Sequence, residues 1–373
     1  MTETLSIDQL PQLVAKLPDD DKRLVERLYQ IVATRGEIVP PPEMEPWLER
    51  TFGSVAATRE QQIIRVMNRW TFEGSTFNPL RASRPGSGTT QQPAAVPPEV
   101  RERIERARGD DFCDPEHKTP ADSFGRVRGA HIVTASNVAK ADGWHGVGVF
   151  DRHDPLAIDD ALVADVLATG ADWALRARER DGGARHFFLL WNCLWRAGAS
   201  LIHGHMQMTL SHEMAHAGVE RLRAAADHYR HAGGADYFGD VTQAHRAFGL
   251  TADVGSVTRF ASLTPVKERE VVMLAPGDEP DPRAALSRFA EPLARTIHTA
   301  MEGMGVRSFN VVVYGPPLDA RAGEGWEGFP WVARFVDRGN PLSPTSDIAG
   351  LELYGSSVIS ADPFDVARAL RGM

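Results

Sequence analysis

The sequence predicts an α+β fold: two tandem lobes, each an antiparallel sheet with helices, behind an N-terminal helical extension. Three kinds of observation lead there. Short runs in which side chains alternate between apolar and polar mark strands, and apolar residues at helical spacing mark helices. One order of strands and helices then occurs twice along the chain, as a duplicated unit would require. The boundaries that follow are 1–75 for the extension, 76–215 for the first lobe and 216–373 for the second.

The extension comes first. Asp19, Asp20 and Asp21 precede Leu24, Val25, Leu28, Ile31 and Val32, a helical stripe with acid at its positive end and Gly36 as a stop. A second stripe, Ile63, Ile64, Val66 and Met67, runs up to Trp70. Both read as helices for packing or for an oligomer contact, without a catalytic motif. Phe77-Asn78-Pro79-Leu80-Arg81-Ala82-Ser83-Arg84-Pro85 follows, and the Gly-, Ser-, Thr-, Gln- and Pro-rich run from Pro85 to Pro98 is a loop or linker. Arg81 and Arg84 on this non-helical segment could clamp phosphate oxygens with paired donors, or form an ordinary solvated surface.

From Gly125 the pattern turns to strands. Ala130–Thr134 and Gly146–Phe150 form a pair, and Asp159 to Arg180 is a helix stopped by Asp181-Gly182-Gly183. Phe187–Trp191 is a buried strand, and Leu201–Leu210 is the next. The order recurs: Thr258–Ala261 and Glu270–Leu274 as a strand pair, a helical stretch from Arg283 to Gly303, then the strands Ser308–Tyr314 and Trp331–Val336.

Leu201–Leu210 holds the chemistry. In an extended strand His203, His205, Gln207 and Thr209 share one face while Ile202, Met206, Met208 and Leu210 share the other, so one face is polar and the other is core. In the second copy Val332 and Arg334 stand where His203 and His205 would, which leaves the chemistry in one lobe.

Composition narrows the class. A formal net charge of −9 argues against a generally basic nucleic-acid-binding surface, although a local arginine cluster could still meet an anionic substrate. Cys113 and Cys193 are the only cysteines, and the N-terminus carries Glu3, Asp8 and Leu10 in place of a basic region and a long apolar run. A disulfide framework, a signal peptide and a membrane anchor are therefore not expected, and a reducing cytoplasm is.

The run Asn192, Gly198, Ser200, His203, His205, Gln207 resembles the active-site motif of the galactose-1-phosphate uridylyltransferase family, a branch of the histidine-triad superfamily that also includes dinucleoside polyphosphate phosphorylases. Asn78-Pro79-Leu80 and Arg81 to Pro85 are similar to that family's N-terminal segments, and Ala349-Gly350-Leu351-Glu352 resembles its hexose-facing loop. The likeness spans about residues 76 to 370, and both predicted lobes become histidine-triad-like.

The resemblance implies a nucleotidyltransferase in which His205 attacks an α-phosphorus to give a covalent nucleotidyl-histidine. The nucleoside monophosphate would move between a nucleoside diphosphate sugar and a sugar 1-phosphate or phosphate. His203 would orient His205 through its main-chain carbonyl, Gln207 would donate to phosphoryl oxygens, and Asn192, Gly198 and Ser200 would surround the diphosphate. Arg81 and Arg84 fall on phosphate-contacting arginines, and Asn137 lies near the nucleoside. Substrates would be nucleotides and phosphorylated small molecules, with no nucleic acid or membrane as partner, no organic cofactor, and a homodimer as the assembly. Two alternatives stay open: a dinucleoside polyphosphate or ADP-sugar phosphorylase, and a non-catalytic nucleotide-binding regulatory protein.

A structural zinc is implied less completely. The family often uses a Cys-x-x-Cys pair, a downstream histidine and the first motif histidine, whereas Asp110-Asp111-Phe112-Cys113 retains only the second thiol. Asp110, Cys113, His153 and His203 still make four ligands of acceptable type, with His117 as a rival. The hexose-facing loop departs from the family too: Ser346 stands in place of a lysine and Leu351 in place of a tyrosine, so Glu352 is the main retained group and galactose 1-phosphate is in doubt.

Overall fold

The computed structural model describes residues 5–83, 95–320 and 322–372. Helices α1 (Leu10–Lys16) and α2 (Asp19–Leu28) open the chain, and strand β1 (Tyr29–Glu37) follows directly. Next come α3 (Glu45–Phe52), α4 (Val55–Arg59), β2 (Glu60–Asn68), β3 (Gly74–Phe77), α5 (Pro98–Arg106) and α6 (Pro115–Lys118). The first lobe runs β4 (Ile132–Ser136), β5 (Trp144–Phe150), α7 (Asp160–Arg180), β6 (Ala184–Cys193) and β7 (His205–His212). Helices α8 (Ala217–His231) and α9 (Tyr237–Ala247) and strand β8 (Thr251–Val254) lead to β9 (Val257–Ala261), β10 (Glu268–Ala275), α10 (Pro282–Ser287), α11 (Ala290–His298), β11 (Phe309–Tyr314) and β12 (Trp331–Asp337). The chain ends with α12 (Gly350–Tyr354), β13 (Ser357–Ile359) and α13 (Pro363–Arg371).

The N-terminal segment is helical only in part. The stripe Ile63, Ile64, Val66 and Met67, expected on a helix, lies in β2, and Ile31 and Val32 lie in β1, its antiparallel partner from Tyr29↔Asn68 to Glu37↔Glu60. The physical reason is a partner outside the local window: each apolar run gains a ladder of backbone bonds only when the other is present. With β3 and the C-terminal β13 these strands make a four-stranded sheet in the order β1-β2-β3-β13. Both ends of the chain are joined there, since the Ile7 amide donates to Asp362 at 2.9 Å.

The two lobes share one nine-stranded sheet, ordered β4-β5-β7-β6-β11-β12-β10-β9-β8. The halves β4-β5-β7-β6 and β9-β10-β12-β11 have the same order and meet where β6 pairs antiparallel with β11. The duplication read from the sequence is therefore the architecture.

Alternation assigns the two faces of this sheet. Phe187, Leu189 and Trp191 of β6 and Met206, Met208 and Leu210 of β7 are buried on the side covered by α7 and α11. Helix α7 begins where Asp159 accepts the Leu162 amide at 2.8 Å and presents Leu162, Val163, Val166, Leu167 and Trp173 to the core. Each such large apolar side chain contributes about 1.5–3 kcal/mol of burial before entropy is counted. Trp173 also explains Gly146 of β5: a Cβ there would stand 2.6 Å from the indole ring. The opposite face carries Gln207, Asn192, Asn310 and Arg334. Among the described residues no helix is long and apolar enough to cross a membrane.

Candidate active site

Strand β7 starts at His205, so His203 belongs to the turn that leads into it and not to the strand itself. That turn is pinned on both sides, as the Phe150 amide donates to the Gly204 carbonyl at 3.0 Å and the Gly204 amide to the His153 carbonyl at 3.3 Å. His203 and His205 nevertheless both pack against Phe112, with ring centroids 6.3 and 5.1 Å away.

The tautomer of His205 follows from its partner. Its Nδ1 lies 2.8 Å from the main-chain oxygen of His203, and a carbonyl only accepts, so Nδ1 carries the proton and Nε2 keeps its lone pair. The ring is 5% exposed, and burial pushes its pKa below the ordinary histidine value while the bond to the His203 carbonyl opposes that shift. A neutral imidazole with one bare nitrogen is the result.

The loop between β6 and β7 forms the neighbouring wall. Leu194 has φ 67° and Gly198 φ 99°, the left-handed region that glycine adopts at little cost, and the Gly198 and Ala199 amides close the turn onto Trp195 and Leu194. Asn192, half-buried at the end of β6, faces Asn310 across the lobe seam. Asn310 donates to the Asn192 side-chain oxygen at 2.6 Å and to the Ala197 carbonyl at 2.9 Å. Ser200 is exposed at the far end of this loop.

Beside the histidines, Asp110, Cys113, His153 and His203 converge, with one ligand atom from each lying within 4.8 Å of all the others. Cys113 Sγ is 3.3 Å from His153 Nδ1 and 3.4 Å from His203 Nδ1, the two Nδ1 atoms are 3.4 Å apart, and Asp110 Oδ1 is 3.8 Å from His203 Nδ1. Those spacings suit ligands around a tetrahedral zinc, where they would be about 3.3–3.8 Å. The outer contacts agree: His153 Nε2 donates to the Ile104 carbonyl and His203 Nε2 to the Phe150 carbonyl, each at 2.8 Å, so both Nδ1 lone pairs turn inward. Asp110 Oδ2 is buried without a hydrogen-bond partner, so the set has an oxygen that a cation could take. His117 is not part of it; it is exposed and bonded to Asp114 at 2.8 Å.

The remaining candidates are spread more widely. Arg81 is half-buried in the turn Pro79–Ser83 after β3, beside the four-stranded sheet, and the Arg84 expectation and most of the linker lie outside the described residues. Asn137 closes the β4–β5 loop, its side-chain nitrogen 3.3 Å from His145 Nε2. Glu352 accepts the Ala349 amide at 3.0 Å and helps line a cavity of about 430 Å³ with Lys267, Asn310 and Arg338. Its carboxylate thus caps α12.

Sequence reasoning did not single out Phe112, His145, Asn310 or Arg338. Asn310 had a signal, being the lone polar side chain within Phe309-Asn310-Val311-Val312-Val313. In the second lobe Arg334 lies on the same sheet face as Asn310 and is held by Glu270 at 2.8 Å and Glu73 at 2.9 Å.

No protein-family model matches the chain, and no curated protein matches it by sequence. Solved structures match in three dimensions. An ADP-glucose phosphorylase from Arabidopsis thaliana with bound ADP-glucose aligns with a TM-score of 0.62 at 16% identity, over 82% of this chain and 98% of that one. A GalT-like protein from the same plant aligns at 0.57 and 16% identity, over 71% and 92%. A uridylyltransferase aligns at 0.55 and 16% identity, over 68% and 88%. The two-lobed α+β fold that the repeated order of strands and helices predicts is the fold of these proteins.

Proposed function

We propose that this protein is a nucleotidyltransferase working through a nucleotidyl-histidine on His205. One observation carries the reading: the His203 carbonyl holds the Nδ1 proton of a buried ring at 2.8 Å, which leaves Nε2 neutral and unprotonated. Nε2 attacks the α-phosphorus of a nucleoside diphosphate sugar or dinucleoside polyphosphate. A phosphorus–nitrogen bond forms as the phosphorus–oxygen bond to the leaving sugar 1-phosphate or nucleoside polyphosphate breaks. An oxygen of a second phosphate or sugar 1-phosphate then attacks the same phosphorus and returns the imidazole.

In this reading Gln207 donates to the phosphoryl oxygens as charge builds on them, and Asn192, Gly198 and Ser200 border the diphosphate. Arg81 and Arg84 would supply charge to the outer phosphates, Asn137 would stand near the nucleoside, and Glu352 would face the acceptor's sugar. Residues 76–215 supply the nucleophile, while 216–373 contribute the far wall through Asn310. A zinc held by Asp110, Cys113, His153 and His203 would supply structural rigidity and no reacting group. Its effect on the chemistry would pass through His203, whose carbonyl aims the nucleophile.

Incubation with α-labelled ADP-glucose, UDP-glucose and diadenosine tetraphosphate tests the proposal. ADP-glucose heads the set because the Arabidopsis phosphorylase with this fold holds it. Label that is acid-labile, base-stable and lost in His205→Ala supports the intermediate, and transfer of that label to phosphate rather than to a sugar 1-phosphate makes the protein a phosphorylase. Label persisting in His205→Ala would overturn the assignment, and nucleotide binding without label would favour the regulatory alternative.

A further inference from the structure

A glutamine beside a phosphate can help or hinder. Its NH2 group donates to phosphoryl oxygens, whereas its carbonyl repels them, and the two orientations have the same shape. In this protein the neighbouring ring decides between them. His145 lies opposite Thr209 in the β5–β7 pairing and Gln207 lies opposite Val147, so His145 and Gln207 are diagonal neighbours on one face.

His145 is 5% exposed and gripped by its own loop: its carbonyl accepts from the Asn137 amide at 2.9 Å and from Lys140 Nζ at 3.3 Å. The Ala141 amide points at His145 Nδ1 from 3.0 Å. A backbone N–H only donates, so Nδ1 bears a lone pair, and the single proton of the neutral ring sits on Nε2. That Nε2–H faces Gln207 Oε1 at 2.9 Å. Asn137 offers no alternative acceptor, because its own oxygen takes the Ala139 amide at 3.1 Å; its nitrogen, 3.3 Å from the protonated Nε2, makes no hydrogen bond to it. Flipping Gln207 would set donor against donor.

We infer that His145 is a positioning residue that locks the Gln207 amide with its oxygen toward β5, leaving the NH2 group as the donor for the phosphoryl group that His205 attacks. The part played by that NH2 rests on the nucleotidyl-histidine reading; the tautomer and the amide orientation do not.

Two measurements test it. In protein carrying ¹⁵N-histidine, long-range proton–nitrogen spectra should report His145 with Nε2 protonated and Nδ1 bare, assigned by the loss of its signals in His145→Gln. Protonated Nδ1 would overturn the inference whatever the protein does. The second is a cycle of His145→Phe, Gln207→Ala and the double variant, reading the rate of His205 labelling at saturating donor. Each single change should slow labelling by about a hundredfold, the scale of losing one donor to a developing oxyanion. The double variant should be no slower than Gln207→Ala, and His145→Gln, which can still donate to Oε1, should recover most of the rate. A further loss in the double variant, or no recovery by His145→Gln, would give His145 a merely structural role. Wild-type protein that never labels would sink the nucleotidyl-histidine reading instead, and the spectra would still decide the amide.

Discussion

Asn310 of the second lobe sits directly opposite Asn192 of the first, and its amide nitrogen donates to the Asn192 oxygen at 2.6 Å. The orientation is imposed from behind, because Arg338 donates to the Asn310 oxygen at 2.7 Å and is itself held by Asp347 at 2.6 and 3.0 Å. The relay commits the oxygen of Asn192 to the seam. It also ties the Ala197 carbonyl, and with it the turn through Gly198, to the other lobe.

Asn310→Ala should therefore slow nucleotidyl transfer by tens of fold while lowering stability by only about 1–2 kcal/mol, the scale of one or two buried hydrogen bonds. Labelling rates and urea unfolding of the same variant separate the two effects. A rate equal to wild type would mean that the seam does not set the loop.

The four converging ligands predict about one zinc per chain in freshly purified protein, removable by a chelator. Cys113→Ala and His153→Ala should each abolish stoichiometric binding and lower the Tm. Both should also slow labelling of His205, because a loosened His203 aims its carbonyl less well. Elemental analysis that finds no zinc in protein purified without chelators would remove the metal from this picture.

The sequence made the duplicated topology and the histidine strand legible because both are local: a period of two within each strand and a repeated order of elements. The N-terminal strands were not. Ile63-Ile64 and Val66-Met67 satisfy a helical stripe as well as a strand, and the decision falls to partners 29 to 37 positions away, from Ile63↔Thr34 to Met67↔Gln30. The thiol and histidines of the metal cluster were read through resemblance alone, since only one Cys remains and the cluster forms through turns around residues 110, 153 and 203. His145 and Asn310 escaped notice for a related reason. Each is an ordinary polar residue until strand register sets it against Gln207 or Asn192.

Arg334 illustrates what the second lobe keeps where histidines are lacking. Its guanidinium lies between Glu270, whose side chain is fully buried, and Glu73 from the N-terminal segment. Burial drives the Glu270 carboxyl above its ordinary pKa, and Arg334 opposes that shift. Arg334→Met should cost about 3–5 kcal/mol in urea unfolding at neutral pH, because the buried Glu270 loses its counter-charge and Glu73 keeps only Arg221, 3.5 Å away. The deficit should narrow toward acid pH as a carboxyl takes up a proton, and Arg334→Met with Glu270→Gln should recover part of it at pH 7. A deficit independent of pH would point to lost packing instead.

His245 gives the fold a pH dependence of its own. Its Nδ1 donates to the Val241 carbonyl at 2.8 Å, its Nε2 accepts the Leu263 amide at 3.2 Å, and its ring lies 4.1 Å from that of Phe260. The ring is fully enclosed, and burial pushes its pKa down from 6.5 to about 4. The unfolded chain takes up a proton near 6.5 that the folded chain refuses, so this stability is complete above that value. It is lost as pH falls from about 6.5 through about 4 and changes no further below, a total of about 3 kcal/mol. Most carboxylates titrate lower, which makes pH 5–7 the window in which His245 is read. There the unfolding free energy of His245→Gln should fall less steeply with acid than that of the wild type, whatever the cost of the substitution at pH 7. Parallel curves would mean that the imidazole is charged inside the fold, and the Leu263 amide bond would then have to be absent.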